Sequence, residues 1–140
     1  RFSKKLINFR LKHPAFMRPE FFLGGDLSYN SLPDITWFDE TGKVPDWNKI
    51  NHFLSFRLDG SKADIYSDID DNDFYLMFNS ATHDVTVTIP PSIGNKKWYR
   101  VIDTSIEAPY DFLSSGEEEF LSNQSRYILP ARSCAVLLSK

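Results

Sequence analysis

The stretch DFYLMFNSATHDVTVTIP, residues 73–90, carries the clearest strand pattern in the chain. Apolar residues occupy every second position of residues 74–78, and the same alternation returns after a polar turn in residues 85–89. Because side chains of a strand repeat every two residues, the pattern predicts two strands, each with one apolar face. The short polar turn predicts that they pair as a hairpin, with the face that carries Phe74 and Phe78 buried. Such a hairpin needs further strands for stability.

Composition sets the broad class of the protein. The chain has 140 residues, of which 41% are hydrophobic, 25% charged and 15% aromatic, as expected for one globular domain rich in aromatic side chains. The net charge of −3 argues against general nucleic-acid binding, which depends on neutralising phosphates. Cys134 is the only cysteine, so an internal disulfide is excluded. No apolar run of membrane-spanning length is present in the sequence, and no membrane partner is predicted.

The first residues form a helical pattern that ends at a proline. Phe2, Leu6, Phe9 and His13 lie on one stripe of a helix, and Pro14 predicts its end. The opposite face is basic, which is compatible with a membrane surface or an acidic partner. We favour a helix that packs its apolar stripe on a protein body. Since the sequence begins without Met, within this pattern, we expect the chain to be a fragment of a longer protein.

The remaining sequence predicts strands separated by turns. Residues 15–51 contain too many glycines and prolines for long elements. Strand patterns then recur in residues 54–58, 98–104 and 127–138, and residues 114–125 read as a polar loop. The fold class predicted is therefore mainly β, an antiparallel β-sandwich of Greek-key type preceded by one α-helix.

Metal and cofactor sites find little support in the sequence. Residues 68–73 open like a calcium loop, but Asp73 stands where glycine is required and Asn79 where the loop ends in glutamate. The three histidines lack the spacing of zinc ligands. We therefore predict no metal site and no cofactor, whereas a pair of carboxylates that acts on a sugar linkage stays possible, since the 19 acidic residues single out no pair.

Two tryptophans in the irregular segment suggest contact with carbohydrate. Trp37 follows Asp34 closely and Trp47 follows Asp46, so that each pair combines a flat apolar ring with a hydrogen-bond acceptor, as sugar sites do. The alternative is that both rings hold a long loop against the body of the protein. Trp98 is a third candidate for contact with a sugar.

Seven segments, in the same order, resemble the C-terminal part of isoamylase-type debranching enzymes in the α-amylase family. They are FSKKLINFRLKHPAFMRPEFF (2–22), DITWFDETGKVPDW (34–47), LSFRLDG (54–60), DFYLMFN (73–79), PP (90–91), WYRVIDT (98–104) and ARSCAVL (131–137). The resemblance implies three parts: residues 1–16 as the last helix of an upstream (β/α)8 catalytic barrel, 17–51 as a connecting loop, and 52–140 as a C-terminal β-sandwich. It also implies that the catalytic Asp, Glu and second Asp precede residue 1. Asp59 stands at a spacing like that of the nucleophile in the family's catalytic strand, but it is interpreted as a turn residue.

The same resemblance predicts the role of the chain. The parent enzyme is expected to hydrolyse α-1,6 branch linkages in glycogen or limit dextrin, in glycogen catabolism, and this part is expected to be non-catalytic. Its expected partners are the upstream barrel, α-glucan through the parent, and a second copy through the exposed helix. The expected location is the cytoplasm, or the plastid stroma in a plant. The alternative is a carbohydrate-binding β-sandwich module that contacts α-glucan through its tryptophans.

Overall fold

A computed structural model describes residues 1–49 and 51–140. The described residues form the helix α1 (Phe2–Lys12), a 3-10 turn (Pro14–Phe16) and the strands β1 (Ile35–Phe38), β2 (Phe53–Leu58), β3 (Phe74–Asn79), β4 (Val85–Thr88), β5 (Trp98–Asp103), β6 (Glu119–Phe120), β7 (Arg126–Leu129) and β8 (Ser133–Ser139). None of the helices in this part of the chain combines the length and the apolar character that crossing a membrane requires.

The strands of the described residues form a sheet of six, in the order β1-β2-β3-β8-β5-β6, and a sheet of two, β4-β7. Strand β5 pairs antiparallel with both β6 and β8, and β4 pairs antiparallel with β7. The register of β5 against β8 shifts between Arg100 and Ile102, where β5 carries one extra residue as a bulge. The prediction of a mainly β, antiparallel sandwich with one helix is confirmed.

The described chain divides into two compact units. The first comprises residues 1–36 and 57–74, and the second comprises residues 37–56 and 75–140. All three tryptophans of the chain belong to the second unit. The predicted boundaries at residues 16 and 51 stay predictions.

The core of the second unit lies between its two sheets. Its buried members come from both sheets and are Phe53, Tyr75, Met77, Val87, Ile89, Trp98, Leu129, Ala135 and Leu137. A buried polar contact runs along the six-stranded sheet in this core, where the Tyr75 hydroxyl donates to Ser55 Oγ at 2.8 Å and the Ser55 hydroxyl donates to the Phe38 carbonyl at 3.2 Å. The burial of these hydroxyls is therefore accompanied by hydrogen bonds, as a stable core requires.

The strands predicted from residues 73–90 exist, but the predicted hairpin is wrong. Strand β3 lies in the six-stranded sheet beside β2 and β8, whereas β4 lies in the other sheet and pairs with β7. The turn thus crosses between sheets. Asn79 explains the crossing, because its amide donates to the carbonyls of His83, Leu129 and Pro130 at 3.1 Å each, and its Oδ1 accepts from the Ala81 backbone at 2.9 Å. These bonds fasten the end of β3 to the end of β7 instead of to β4.

The predicted buried face of β3 is also wrong. Tyr75 and Met77 are fully buried in the core, whereas Phe78, on the predicted inner face, is 42% exposed. Phe74 is buried in the first unit, where its ring meets those of Phe9, His13 and Phe16 at centroid distances of 5.8, 5.0 and 4.7 Å. Alternation alone could not separate the two faces, since both are apolar. In β4 the prediction holds, with Val87 buried in the core.

Helix α1 ends where the sequence predicted. His13 leaves the helix with an extended backbone before Pro14, and its Nδ1 lies 2.8 Å from Asp71 Oδ1. No residue of α1, all of which the structure describes, is fully buried. Leu6, Ile7 and Leu11 are 46%, 60% and 62% exposed, so the helix presents an uncovered apolar surface.

Candidate functional site

Four aromatic side chains of the second unit form a row that we call the aromatic strip: Trp47, Trp37, Phe56 and Phe78. Successive ring centroids are 5.8, 5.0 and 6.0 Å apart. Trp37, Phe56 and Phe78 come from the adjacent strands β1, β2 and β3, and they lie on the face opposite the core because their neighbours Phe38, Ser55 and Met77 point inward. The strip is therefore built by strand alternation across one edge of the six-stranded sheet.

The tryptophan end of the strip is open to solvent. Trp47 is 64% exposed and Trp37 is 37% exposed. Their rings meet at 78°, so they form a corner rather than a flat platform. A corner of this kind offers one ring face and one ring edge, an arrangement suited to a single sugar ring or to an apolar side chain of another protein surface.

Asp46 supplies an acceptor beside Trp47. Its Oδ1 accepts from the Asn48 backbone at 3.1 Å, and its Oδ2 lies 3.9 Å from Lys49 Nζ in a largely exposed ion pair. These contacts leave carboxylate lone pairs available to a further donor, such as a sugar hydroxyl. The structure thus places Asp46 and Trp47 next to each other at the surface.

Asp34 has a different environment from the one that the sequence suggested. Its carboxylate is buried and accepts hydrogen bonds from Arg18 Nη1 (2.8 Å) and from the backbone amides of Leu23 (3.0 Å), Gly24 (2.7 Å) and Ile35 (2.8 Å). Burial acts to raise the pKa of Asp34, but these four donors outweigh it and the pKa lies below its ordinary value. With four lone-pair positions occupied, the carboxylate is an internal anchor of the first unit.

Trp98 is also inaccessible to a ligand. It is 1% exposed, and its Nε1 donates to the Pro90 carbonyl at 2.8 Å. The suggestion that Trp98 touches a sugar is therefore wrong. The sequence places Trp98 in a strand pattern, but that pattern does not decide whether the ring faces the core or the solvent.

A cluster of three acids in the first unit was not predicted. Carboxylate oxygens of Asp26, Asp59 and Asp64 lie within 4.8 Å of one another. Asp59 does behave as a turn residue, since Ser61 N donates to its Oδ1 at 2.9 Å, and Asn30 Nδ2 donates to its Oδ2 at 2.9 Å. Burial, together with the nearby Asp59 charge, raises the pKa of Asp64 above its ordinary value.

This cluster has the carboxyl separation of a retaining glycosidase, about 5 Å, but not its accessibility. Asp59 is 1% exposed and Asp64 is completely buried, so neither can reach a glycosidic oxygen. The one sequence signal for the cluster is the D-x-S-x-N spacing of Asp26, Ser28 and Asn30, which resembles the opening of a calcium loop. This signal does not extend to Asp59 and Asp64, which stand far away in the sequence.

Comparison with known proteins identifies the family. The sequence profile described as "Isoamylase, C-terminal" matches residues 34–138, which is most of the chain. The chain belongs to this family. Comparison with individual proteins agrees. The chain is 31% identical to the isoamylase of Flavobacterium sp over 147 aligned residues, which cover 99% of the chain and 18% of that protein. The resemblance drawn from the sequence is thereby confirmed.

Further isoamylase relatives come from bacteria and from plants. The isoamylase of Pseudomonas amyloderamosa is 29% identical, over 99% of the chain and 17% of that protein. "Isoamylase 3, chloroplastic" of Oryza sativa subsp. japonica is 31% identical, over 83% of the chain and 12% of that protein. The chain thus spans less than a fifth of the length of these relatives. The isoamylase C-terminal match includes β1 through nearly all of β8, and with them the aromatic strip.

Proposed function

We propose that this chain is the non-catalytic C-terminal domain of a debranching enzyme. The parent enzyme hydrolyses α-1,6 branch linkages in glycogen or limit dextrin. The family match over residues 34–138 carries the proposal. The β-sandwich fold of this region supports a scaffold role, because ionisable side chains such as Asp34 and Tyr127 are held in internal hydrogen bonds. The Tyr127 hydroxyl, for example, donates to Asp103 Oδ2, and burial raises the pKa of Tyr127 well above its ordinary value.

The proposed partner is the catalytic barrel of the same parent chain. Helix α1 supports this partner, since its uncovered apolar side chains Leu6, Ile7 and Leu11 would gain about 25 cal/mol for each Å² that a neighbouring surface buries. An isolated helix of eleven residues is marginal in water, so docking on a larger body also accounts for its presence. Without that body, self-association through α1 is the expected behaviour. We place the parent in the bacterial cytoplasm, or in the plastid stroma if it is a plant protein.

The catalytic part of the proposal is tested by assay of the chain alone. We expect purified protein to release no reducing ends from glycogen above the buffer blank, because the family's catalytic Asp, Glu and second Asp are proposed to lie outside these 140 residues. The assay measures reducing ends over several hours at high protein concentration, with a full-length isoamylase as the positive control. Release that persists through repeated purification would contradict a non-catalytic role.

A second candidate function is contact with α-glucan through the tryptophan end of the aromatic strip. The observation that favours it is the exposed corner of Trp37 and Trp47 beside the Asp46 carboxylate. Aromatic faces with a nearby acceptor match the apolar and hydroxyl surfaces of a glucose ring. In this role the domain would hold a glucan chain while the barrel acts on it.

Indole NMR signals test glucan contact with an internal control. The chain has three tryptophans, so a 15N-labelled sample gives three indole N–H signals. Binding at the corner is expected to shift the signals of Trp37 and Trp47 saturably with maltoheptaose at millimolar concentration, while buried Trp98 stays unmoved. Trp47→Phe and Trp37→Phe assign the signals, and cellohexaose serves as the control sugar. If no indole signal moves, or if Trp98 moves equally, this candidate function is lost.

A further inference from the structure

The acid cluster of the first unit combines three carboxylates with neutral surroundings. Their hydrogen bonds come from backbone amides and from the side chains of Ser28 and Asn30. These donors are all uncharged, so the hydrogen bonds do not neutralise the charge of the acids. At separations of 4.8 Å or less, the repulsion is strongest between the two buried acids, Asp59 and Asp64.

One oxygen of the cluster has no partner. Asp64 is completely buried; its Oδ1 accepts from the Leu27 backbone amide at 2.8 Å, and its Oδ2 accepts no hydrogen bond. Buried polar atoms in folded proteins are almost always satisfied, and an unsatisfied carboxylate oxygen is costly. A positively charged group bound to this oxygen would supply the missing contact and would reduce the repulsion among the three carboxylates.

We propose that Asp26, Asp59 and Asp64 together bind one divalent cation, and that this cation is Ca²⁺. Hard cations take carboxylate oxygens as ligands, and Ca²⁺–oxygen distances are about 2.3–2.6 Å. Two ligands on opposite sides of a Ca²⁺ ion are therefore about 4.8 Å apart, and the oxygens of this cluster lie within that distance.

The partial exposure of Asp26 favours Ca²⁺ over Mg²⁺. Asp59 and Asp64 are buried, whereas Asp26 is partly open to solvent, so water can complete the coordination shell on that side. Ca²⁺ accepts six to eight ligands in irregular geometry, whereas Mg²⁺ requires a nearly ideal octahedron at shorter distances. Three carboxylates fixed by their own backbone contacts match the less demanding ion.

The ion would join two segments of the first unit that are distant in sequence. Asp26 Oδ1 and Oδ2 accept the amides of Asn30 and Ser31, which shapes the loop around residues 26–31, while Asp59 and Asp64 belong to the segment after β2. Ca²⁺ at this point stabilises the folded chain, because the site exists only when both segments are in place. This role is independent of the proposed function of the parent enzyme.

Calorimetry and thermal unfolding test the site on the whole 140-residue chain after EDTA treatment and dialysis. Titration with CaCl2 is expected to show one site per chain, and saturating Ca²⁺ is expected to raise the melting temperature by at least ~5 °C relative to EDTA, with a smaller rise in Mg²⁺. An absent calorimetric signal together with an unchanged melting temperature would overturn the proposal. A rise in melting temperature on acidification from pH 7 to pH 5, with no calorimetric signal for Ca²⁺ and no stabilisation by Ca²⁺ at pH 7, would overturn the proposal in favour of a proton shared by Asp59 and Asp64.

Asp64→Asn separates metal binding from general effects of charge. The variant keeps the shape of the side chain and relieves repulsion, so in EDTA it is expected to melt at or above the temperature of the wild type and to lose the response to Ca²⁺. Asp26→Asn is the second variant if Asp64→Asn fails to fold. Asp68→Asn, in the exposed acidic loop, is the matched control and should keep the full response. Loss of the response in Asp68→Asn, with retention in Asp64→Asn, would overturn the assignment.

Discussion

Asp34→Asn is expected to lower the free energy of unfolding by about 3–5 kcal/mol at pH 7, the usual cost of breaking a buried ion pair on one side. The Asp34 and Arg18 side chains are each 3% exposed and meet at 2.8 Å. Arg18 also donates to the carbonyls of Glu20 and Phe21, and its guanidinium lies 4.2 Å from the centre of the Phe22 ring. Removing the Asp34 charge leaves this guanidinium buried without its counter-ion, which is the physical origin of the loss.

The pH dependence of this effect has a definite sign. Because the pKa of Asp34 in the folded chain lies below its ordinary value of 3.8, its contribution is fully present above about pH 4 and is lost as the pH falls toward the folded-state pKa. The difference between wild type and Asp34→Asn should therefore be constant from pH 7 to pH 5 and should shrink toward pH 3. Urea unfolding followed by far-UV circular dichroism at these three pH values measures it.

An exposed ion pair provides the matched control. Asp46→Asn removes the same charge from a pair with Lys49 whose side chains are 52% and 79% exposed at a distance of 3.9 Å. Such pairs contribute about 0–1 kcal/mol, so Asp46→Asn should unfold nearly as the wild type does. Equal losses in the two variants would contradict the anchoring role of Asp34.

Trp98→Ala, in the second unit, is the other variant with a large expected effect. It should lower the free energy of unfolding by about 3–5 kcal/mol relative to the wild type, as large-to-small substitutions of core aromatic residues do. The ring is buried between the sheets and lies 6.1 Å from the Tyr75 ring. Truncation leaves a cavity and removes the donor of the Pro90 carbonyl. Urea unfolding followed by far-UV circular dichroism measures the loss.

Two further variants divide the Trp98 effect into its parts. Trp98→Phe keeps most of the buried ring but lacks the indole N–H, so it should cost about 1–3 kcal/mol, the range for a buried acceptor left unsatisfied. Trp47→Ala makes the same truncation at a position that is 64% exposed and should change stability by less than about 0.5 kcal/mol. A larger loss in Trp47→Ala than in Trp98→Ala would contradict the assignment of core and surface.

Strand positions could be predicted from this sequence, whereas strand partners could not. The alternation in residues 74–78 and 85–89 marks β3 and β4 correctly, because period two is a local property of the backbone. Pairing depends on Asn79, whose amide reaches the carbonyls of Leu129 and Pro130. The local pattern does not indicate a contact with residues so distant in sequence, so a hairpin is the simplest prediction from the sequence.

The candidate sites show the same division between local and distant information. Trp47 beside Asp46 could be predicted as a surface pair, since both belong to one turn. Asp34 could not be separated from Asp46, because its burial depends on Arg18 and on a loop that folds back over it. The acid cluster escaped prediction for the same reason: Asp59 and Asp64 approach Asp26 only in the folded first unit.

The placement of the tryptophans has a practical consequence for spectroscopy. All three belong to the second unit, whereas the first unit contains only the tyrosines Tyr29 and Tyr66 as fluorescent residues. The tryptophan residues, and with them the tryptophan emission, therefore belong to the second unit alone. Amide hydrogen exchange, which covers the whole backbone, reports on the opening of each unit.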